Sequence, residues 1–461
     1  MTRMYIGPPR QDGSTGPGRV VPMPAADPTA SLVADLESAA ARYDVFPIEA
    51  DAPTGTSIST LRRQRRARDT VGTLSLVERD GVLLWTDDAI GTVAGRRRRG
   101  RRGVGAGAGP TLARFRFERL APNQLVQLLE KVDATLTPAS VAAPLRSLSA
   151  VGQETWAWQP ADAPPAKGRI LVWVHGTFSN NESTLESLTA TPEGKAFVRD
   201  ALREYDAVLG FDHPTLGVSP TLNALDLARY LSSTEAELHV VAHSRGGLVA
   251  RWCLDAALPP RKGTRAVLVG SPIAGTSLAA PGRIRDAMSL VTNLGRTLQT
   301  IGGFAATAMP LLHAPLVVLR IVGSVTGVLA KTPVVDAGLA LVPGLAGQSA
   351  ARNNPELARL AKRLPYAETT YSIVRSNFEP EAPGWRFWRW FRKDALFDAG
   401  ADWLFQGPND LVVDCDSMSG FAGPALPAAR IHDFGTSRDV HHCNYFRQPE
   451  TLAFVRRQFG W

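Results

Sequence analysis

The segment ELHVVAHSRGGL at residues 237–248 constrains the fold of this chain more than any other segment. A run of β-branched, apolar residues leads into Ser244, and a helix-like stretch, LVARWCLDAAL, follows directly. A serine on such a sharp strand-to-helix turn is held in a strained conformation, and small residues two positions before and after it let the strand and the helix approach. Ala242 and Gly246 occupy those positions; the usual pattern has glycine at both, and alanine is one methyl group larger. The segment predicts a nucleophilic serine on an α/β sheet.

A second apolar run, Ile170 to Val174, ends in His175-Gly176 and opens into a polar loop. On sheets of this type, the loop after that strand and the residue after the nucleophile each supply a backbone N–H group to the oxyanion of an acyl-transfer intermediate. We expect the amides of Thr177 and Arg245 to be these donors, with Phe178 as the neighbouring alternative. His-Gly also closes strands that have no catalytic role, so the order of the two motifs along the chain is what favours this interpretation.

In this kind of site, an acid and then a histidine follow the serine along the chain. Asp410 lies in the turn-rich segment QGPNDLVVDCDSM, just before Leu411-Val412-Val413, and is the preferred acid. Asp414 is the alternative, because spacing alone does not separate two aspartates four residues apart. Asp212 and His213 precede Ser244, so they are expected to be structural or to lie at the rim of a pocket.

Three histidines follow the acid: His432, His441 and His442. His432 lies in a predicted last strand, ARIHDF, whereas the other two lie in the loop SRDVHHCNYF before the closing helix PETLAFVRRQF. A histidine that must reach a serine hydroxyl needs a loop position, which favours the pair His441 and His442.

The motifs VWVHGTF, FDHPTL, AHSRGG, GSPIAGT, NDLVV and HHCNYF, in this order, resemble the lipase-like branch of the α/β-hydrolase superfamily, which contains bacterial triacylglycerol lipases and inositol deacylases of the PGAP1 type. The resemblance covers residues 168–461 and implies ester hydrolysis. It implies that Ser244 is the nucleophile, that Asp410 is the acid before a short strand, and that Thr177 is an oxyanion donor. The family's histidine motif, similar to His-x-Asn-Tyr-Phe, falls on His442.

The expected architecture is an α/β-hydrolase domain at 168–461, with a mostly parallel central sheet and a helical cap insertion at about 284–363. A disordered N-terminus (1–30), a small α+β module (31–135) with an Arg/Gly-rich loop at 95–110, and a Pro/Ala/Ser-rich linker (136–167) are expected to precede it. In the module, Arg79-Asp80-Gly81 lies between two alternating apolar runs and predicts a β-hairpin.

The insertion has no Asp, Glu, Lys or Arg from Thr297 to Leu319. Three interpretations compete: an amphipathic lid over an acyl-binding pocket, a buried helical insertion, and a transmembrane helix. Glycines and prolines interrupt the stretch and disfavour a membrane span. The position of the insertion, after the strand that follows the nucleophile, favours the lid.

Positive charge is concentrated in the first 150 residues, which hold 21 Lys and Arg against 15 Asp and Glu. Two arginine clusters, at 61–69 and 95–110, account for most of the excess. Such clusters attract phosphates, and an anionic membrane surface is favoured over nucleic acid because no aromatic residues are interleaved for base stacking. Solvated clusters with no partner are the alternative.

Cys253, Cys415 and Cys443 are widely spaced and form no metal-ligand pattern. Together with an N-terminus that has no apolar signal segment, they favour a cytoplasmic protein, with a peripheral position at the membrane as the alternative. The predicted function is a serine hydrolase that cleaves carboxylic esters of lipid type and needs no metal or organic cofactor. An acyltransferase with the same triad is one alternative. The other is a partner-regulated effector, in which the N-terminal module carries recognition.

Overall fold

The structure is a computed structural model. It describes residues 28–40, 45–48, 71–87, 110–118, 122–279, 342–350, 354–380 and 407–461, together with 288–290, 292–293 and 296–297. The two arginine clusters and the uncharged stretch from Thr297 to Leu319 lie outside these residues, apart from Thr297 itself and Pro110, so the expectations about them stay predictions.

An eight-stranded sheet forms the centre of the larger part of the chain, in the order β12-β11-β10-β9-β7-β8-β5-β6. The strands are β5 (Leu145–Gly152), β6 (Thr155–Pro160), β7 (Arg169–Val174), β8 (Ala207–Phe211), β9 (Glu237–His243), β10 (Arg265–Val269), β11 (Thr370–Phe378) and β12 (Ile431–Ser437). Neighbouring strands from β12 to β8 pair in parallel, and β5 is antiparallel to both β8 and β6. The expected α/β fold with a mostly parallel sheet is confirmed.

Side chains of one strand alternate between two helical layers. Ile170, Val172 and Val174 of β7 belong to one buried cluster, and Leu171 and Trp173 belong to the other. Because successive side chains of a strand point to opposite faces, a continuous apolar strand is what a sheet covered on both faces requires.

In the described parts of the chain, seven helices flank or follow these strands. They are α4 (Asn181–Thr189), α5 (Pro192–Glu204), α6 (Pro220–Leu231), α7 (Gly246–Trp252), α9 (Pro355–Lys362), α10 (Cys415–Met418) and α11 (Pro449–Phe459); α8 (Pro343–Ala346) is a single turn inside the insertion. Helices α6 and α7 contribute to the first cluster, and α5 and α11 contribute to the second. Side-chain hydrogen bonds cap the N-termini of several of these helices. At the start of α6, for example, Ser219 accepts a hydrogen bond from Leu222 N, and Pro220 occupies the first helical position.

The N-terminal unit has its own four-stranded antiparallel sheet, in the order β1-β4-β2-β3. Its strands are β1 (Val45–Ile48), β2 (Val71–Arg79), β3 (Val82–Asp87) and β4 (Thr111–Glu118), and its helices are α1 (Pro28–Ala40), α2 (Pro122–Leu136) and α3 (Ala139–Ala142). The hairpin prediction is confirmed, since Asp80 and Gly81 join β2 to β3 with φ angles of 52° and 79°. Two residues with positive φ suit the twist of a two-residue hairpin.

The edge strand β3 is covered by helical residues of the insertion. Asn293 accepts from Leu83 N at 3.0 Å through its side-chain oxygen and donates to Leu83 O at 2.7 Å through its side-chain nitrogen. Ser289 Oγ accepts from Trp85 N at 3.0 Å, and Thr292 Oγ1 accepts from the Trp85 indole at 2.9 Å. The side chains of these helical residues therefore satisfy backbone groups that an edge strand otherwise exposes.

The linker expected at 136–167 is wrong over most of its length. Strands β5 and β6 lie within it, and β5 pairs directly with β8 of the large sheet. Both are half-exposed, β6 is the edge strand of the sheet, and neither has a continuous apolar sequence, so a composition rich in Pro, Ala and Ser conceals them. The sheet of the hydrolase-like part therefore begins at Leu145, ahead of the predicted start at 168.

Candidate active site

Ser244 occupies the turn between β9 and α7 with a φ of 52°, in the left-handed region. Few residues other than glycine adopt this conformation, and such strain concentrates at functional sites. Two backbone bonds hold the turn: Ser244 N donates to Val269 O, and Gly247 N donates to Ser244 O, both at 2.9 Å. The serine is 6% exposed and lies at the carboxyl edge of the sheet.

The glycines around Ser244 are required by close contacts. A β-carbon at Gly246 would lie 2.3 Å from Val174 O, and one at Gly247 would lie 2.3 Å from Ser271 Oγ. A β-carbon at Gly176 would lie 2.8 Å from the Ser244 β-carbon, so the loop after β7 packs directly against the serine. Ala242 is fully buried in the sheet.

The structure brings Asp410 and His442 together. His442 Nδ1 donates to Asp410 Oδ2 at 2.8 Å, and His442 N donates to Asp410 O at 2.9 Å. Because a carboxylate only accepts, the neutral form of the imidazole has its hydrogen on Nδ1 and its lone pair on Nε2 in this arrangement. This is the tautomer that a general base for a serine hydroxyl needs.

Further donors hold the Asp410 carboxylate. Its Oδ1 accepts from the amides of Val412 (3.1 Å) and Val413 (2.9 Å), and its Oδ2 accepts from the Tyr445 hydroxyl at 3.0 Å. Burial raises the pKa of Tyr445 well above its ordinary value, so this residue remains a donor. The carboxylate is fully buried, and these partners fix its position relative to His442.

The segment after Asp410 differs from the short strand that the family resemblance implies. Leu411 has a φ of 90°, and Asn409 and Asp414 form an isolated bridge, so Leu411 to Val413 form a tight bend. The bend turns the amides of Val412 and Val413 back onto the carboxylate of Asp410, which a straight strand does not allow.

Gly270, directly after β10, makes room for Asp410 and His442. A β-carbon there would lie 2.8 Å from the Tyr445 ring, 3.0 Å from Asp410 Oδ2 and 3.2 Å from His442 Nδ1. Its neighbour Val269 holds the amide of Ser244. The turn that carries Ser244 and the Asp410–His442 pair therefore both lie beside the carboxyl end of β10.

His243 connects the two halves of the site, and the sequence analysis missed it. Its Nε2 donates to His442 O at 3.0 Å, and the two imidazole centroids are 4.8 Å apart. Burial lowers the pKa of His243 to about 3, so the ring is neutral. Its position beside the serine was visible in the sequence, but its partner lies 199 residues away.

The backbone N–H groups of Thr177 and Arg245 donate to no acceptor among the described residues. Arg245 directly follows the strained serine, and Phe178, directly after Thr177, has a φ of 56°. Gln348 of the insertion holds the Thr177 side chain, because its Nε2 donates to Thr177 Oγ1 at 3.0 Å. Two unpaired amides beside a nucleophile form an arrangement that can bind an oxyanion.

The alternative site residues have other environments. The ring of His441 packs on Phe378 at 5.3 Å, and its Nδ1 accepts from Cys443 N at 3.3 Å. Burial lowers the pKa of His441 to about 3. Asp414 stands at the start of α10, and His432 lies in β12 as predicted.

His213 and Asp212 lie in a separate buried cluster with His175. The rings of His175 and His213 stack at 4.1 Å, and His175 Nε2 accepts from His213 N at 3.1 Å. Asp212 accepts from Asn181 N at 2.9 Å and lies 3.7 Å from Arg146. Desolvation lowers the pKa of both histidines, so their neutral rings brace the loops after β7 and β8.

In the parts of the chain that the structure describes, no three or more His, Cys, Asp or Glu side chains group as metal ligands do. No helix within those parts has the length and apolar character needed to cross a bilayer.

The family model described as "Domain of unknown function (DUF7379)" matches residues 145–460. The match begins at the first residue of β5, in agreement with the extent of the large sheet. No curated protein matches the chain.

Three solved structures illustrate what the chain is similar to. The Bacillus licheniformis lipase BlEst2 in mature form is 14% identical with a TM-score of 0.36, over 65% of this chain and 96% of that one. Lipase 1 from Pelosinus fermentans is 13% identical with a TM-score of 0.35, over 62% and 98%. The Bacillus subtilis carboxylesterase CesB is 12% identical with a TM-score of 0.30, over 72% and 95%. These scores are low, and the assignment to the α/β-hydrolase fold depends on the sheet order and on the turn at Ser244.

Proposed function

The chain belongs to a family defined only as a domain of unknown function, DUF7379, and we propose from its site that it is a serine hydrolase of carboxylic esters. The observation that carries the proposal is the bond between Asp410 and His442 Nδ1 in the corner of the sheet where Ser244 occupies its strained turn. A buried hydrogen bond between an aspartate and a histidine has many structural uses on its own. Its combination with a left-handed serine and two unpaired amides is what acyl transfer needs.

In the proposed mechanism, His442 Nε2 removes the hydroxyl proton of Ser244 as Oγ attacks the ester carbonyl. Asp410 holds the imidazole tautomer and stabilises the imidazolium, and the amides of Thr177 and Arg245 bind the oxyanion. Collapse of the tetrahedral intermediate breaks the bond to the alcohol, which takes the proton from His442. Water, deprotonated by the same histidine, then attacks the acyl-enzyme and releases the acid and the free serine.

For the substrate we favour esters of lipid type, with residues 284–363 as a lid. One end of this insertion reaches the site, since Gln348 bonds to Thr177 Oγ1. The uncharged sequence from Thr297 to Leu319 belongs to the same insertion, and an acyl pocket must be apolar.

The decisive assay is hydrolysis of p-nitrophenyl esters from acetate to palmitate. The lid proposal expects the double variant Leu316→Ser, Leu319→Ser to lose more activity on long chains than on acetate, because a buried methylene contributes about 0.8 kcal/mol, or about fourfold. Equal loss on all chain lengths would reduce the insertion to a structural element. No hydrolysis of any ester by the wild-type chain would contradict the proposed function.

The same assay, repeated with an added alcohol, separates hydrolysis from acyl transfer. A hydrolase releases free acid, whereas an acyltransferase makes a new ester in proportion to the alcohol.

For the arginine clusters we keep the proposal of an anionic membrane partner. It expects the full chain to sediment with phosphatidylserine vesicles, and variants with each cluster changed to glutamine to remain in solution, at a loss of about 1 kcal/mol per basic residue.

A further inference from the structure

Helix α2 of the N-terminal unit reaches the carboxyl edge of the large sheet. Asp133 on this helix is 3% exposed. Its carboxylate accepts from three successive amides, Thr215 N at 2.8 Å, Leu216 N at 3.0 Å and Gly217 N at 2.6 Å. These residues belong to the loop after β8. Three hydrogen bonds to one carboxylate hold these successive residues of the loop in place.

A second contact ties α2 to the loop after β7. Asn180 Nδ2 donates to the carbonyl of Leu136, the last residue of α2, at 3.0 Å. Asn180 also caps α4 and ends the loop that begins at Thr177. One helix of the N-terminal unit therefore holds both loops that border the proposed oxyanion hole.

The loop held by Asp133 is bonded onward to both oxyanion donors. Leu216 O accepts from Gly344 N at 2.9 Å. Gly344 O in turn accepts from Arg245 Nε at 3.4 Å and from Gln348 Nε2 at 3.2 Å. Gln348 bonds to Thr177, and Arg245 also donates to Val218 O at 2.6 Å.

We infer that Asp133 is a positioning residue for the oxyanion hole, and that the N-terminal unit contributes to the active site through this residue. The inference rests on the proposed function. Asp133 touches neither Ser244 nor a reacting atom. It fixes the segment to which the side chains of Arg245 and Gln348 are anchored. One proposed oxyanion donor is the backbone amide of Arg245 itself. The other is the backbone amide of Thr177, whose side chain is bonded to Gln348.

The charges are consistent with this role. The Arg245 side chain is fully buried, and burial lowers its pKa to about 10, while Asp133 and Glu356 favour its charged form. Burial also raises the pKa of Asp133, which the three amides and Arg245 oppose. Removing the Asp133 carboxylate leaves the buried positive charge of Arg245 with less compensating negative charge. The backbone amide of Arg245 must stay fixed at the same place.

Asp133 lies outside the segment that the family model matches, residues 145–460. The proposed active site therefore depends on Asp133, a residue that a domain boundary placed at the start of the family match would leave out.

The test uses the full-length chain with Asp133→Asn and Asp133→Ala, and with Glu130→Gln as the matched control, an exposed carboxylate on the same helix. We expect both Asp133 variants to lower kcat on p-nitrophenyl acetate and the rate of fluorophosphonate labelling by about 10-fold to 100-fold, with KM changed less than threefold, because a misplaced oxyanion donor acts on the transition state. Glu130→Gln should match the wild type. If Asp133→Ala does not fold, Asp133→Asn carries the test, since the amide keeps the volume and one acceptor oxygen.

Combination with Gln348→Ala separates positioning from general destabilisation. If both residues act through one anchored segment, the loss of kcat in the double variant is smaller than the product of the single losses. Independent, multiplicative losses, or wild-type kcat and labelling in a folded Asp133→Asn variant, would overturn the inference while leaving the hydrolase proposal intact. A wild-type chain that neither labels nor hydrolyses would overturn both.

Discussion

His243 Nε2 donates to the carbonyl oxygen of His442 at 3.0 Å, so the residue before the proposed nucleophile holds the backbone of the proposed base. This bond joins the end of β9 to the loop that follows β12. It holds the backbone of His442, while the bond to Asp410 holds the imidazole ring.

Replacing His243 is therefore expected to impair the chemistry. His243→Leu removes the donor and keeps an apolar group of moderate size. We expect kcat on a short ester to fall by about 10-fold to 100-fold, with KM little changed, because His442 loses a backbone support. His432→Leu, a histidine in the edge strand β12, is the matched control and should keep most of the activity. Equal effects of the two substitutions would show that the contact between His243 and His442 has no special role.

The two loop histidines are expected to differ. His442→Ala should lose activity by several orders of magnitude, since it removes the imidazole bonded to Asp410. His441→Ala should retain a measurable fraction, because His441 packs on Phe378 and bonds within its own loop. Steady-state kinetics of both variants, with melting temperatures as a check on folding, decide the matter. A greater loss for His441→Ala would shift the base by one residue.

Two buried neutral histidines predict a loss of stability in mild acid. Burial lowers the pKa of His243 and of His441 to about 3, whereas histidine in an unfolded chain titrates near 6.5. Between these values the unfolded state binds protons that the folded state does not. The contribution is fully present above about pH 6.5 and is lost as the pH falls, by about 1.4 kcal/mol per pH unit for each histidine.

Urea unfolding at pH 7.5, 6.5 and 5.5 tests this expectation in a range where carboxylates are still ionised. The variant His441→Gln should show a shallower dependence on pH than the wild type, because one titrating group is removed, whatever its stability at pH 7.5. An unchanged slope would argue that His441 is not buried in its neutral form.

The cysteines are expected to be unreactive in the folded chain. Burial raises the pKa of Cys415 and of Cys443 to about 12, and that of Cys253 still further, so almost no thiolate is present at pH 8. Treatment with iodoacetamide at pH 8 should leave ester hydrolysis unchanged and modify none of the three, as judged by the intact mass. Rapid modification of Cys443, which is partly exposed, would contradict the expected protonation state.

The parallel strands were predictable because strands buried on both faces appear as continuous apolar runs. The run at 170–174 corresponds to β7 within one residue at each end, and the closing helix was predicted at its observed bounds. The linker at 136–167 was wrong because β5 and β6, the last two strands on one side of the sheet, are half-exposed and have no such run. Leu411 to Val413 look like a strand by composition, yet the positive φ of Leu411 bends them around Asp410.

The candidate site was predictable only in part. Ser244, Asp410 and His442 could be selected from motif order and family resemblance, and the roles assigned to them stay predictions. The supports given by His243, Tyr445 and Asp133 could not be selected, because each depends on a partner that folding brings from elsewhere in the chain. Asp133 is the extreme case, since its partners lie in a different structural unit.

The central claim is that Ser244 is the nucleophile, and covalent labelling tests it most directly. The full-length protein is treated with a fluorophosphonate, digested, and analysed by mass spectrometry, beside Ser244→Ala and the control Ser271→Ala, whose serine is buried next to Gly247. The account predicts a phosphonyl group on Ser244, an unlabelled Ser244→Ala variant that keeps its melting temperature and loses kcat by about a millionfold, and a labelled Ser271→Ala variant. Labelling of Ser244→Ala at the wild-type rate, or a label mapped to another serine, would contradict it.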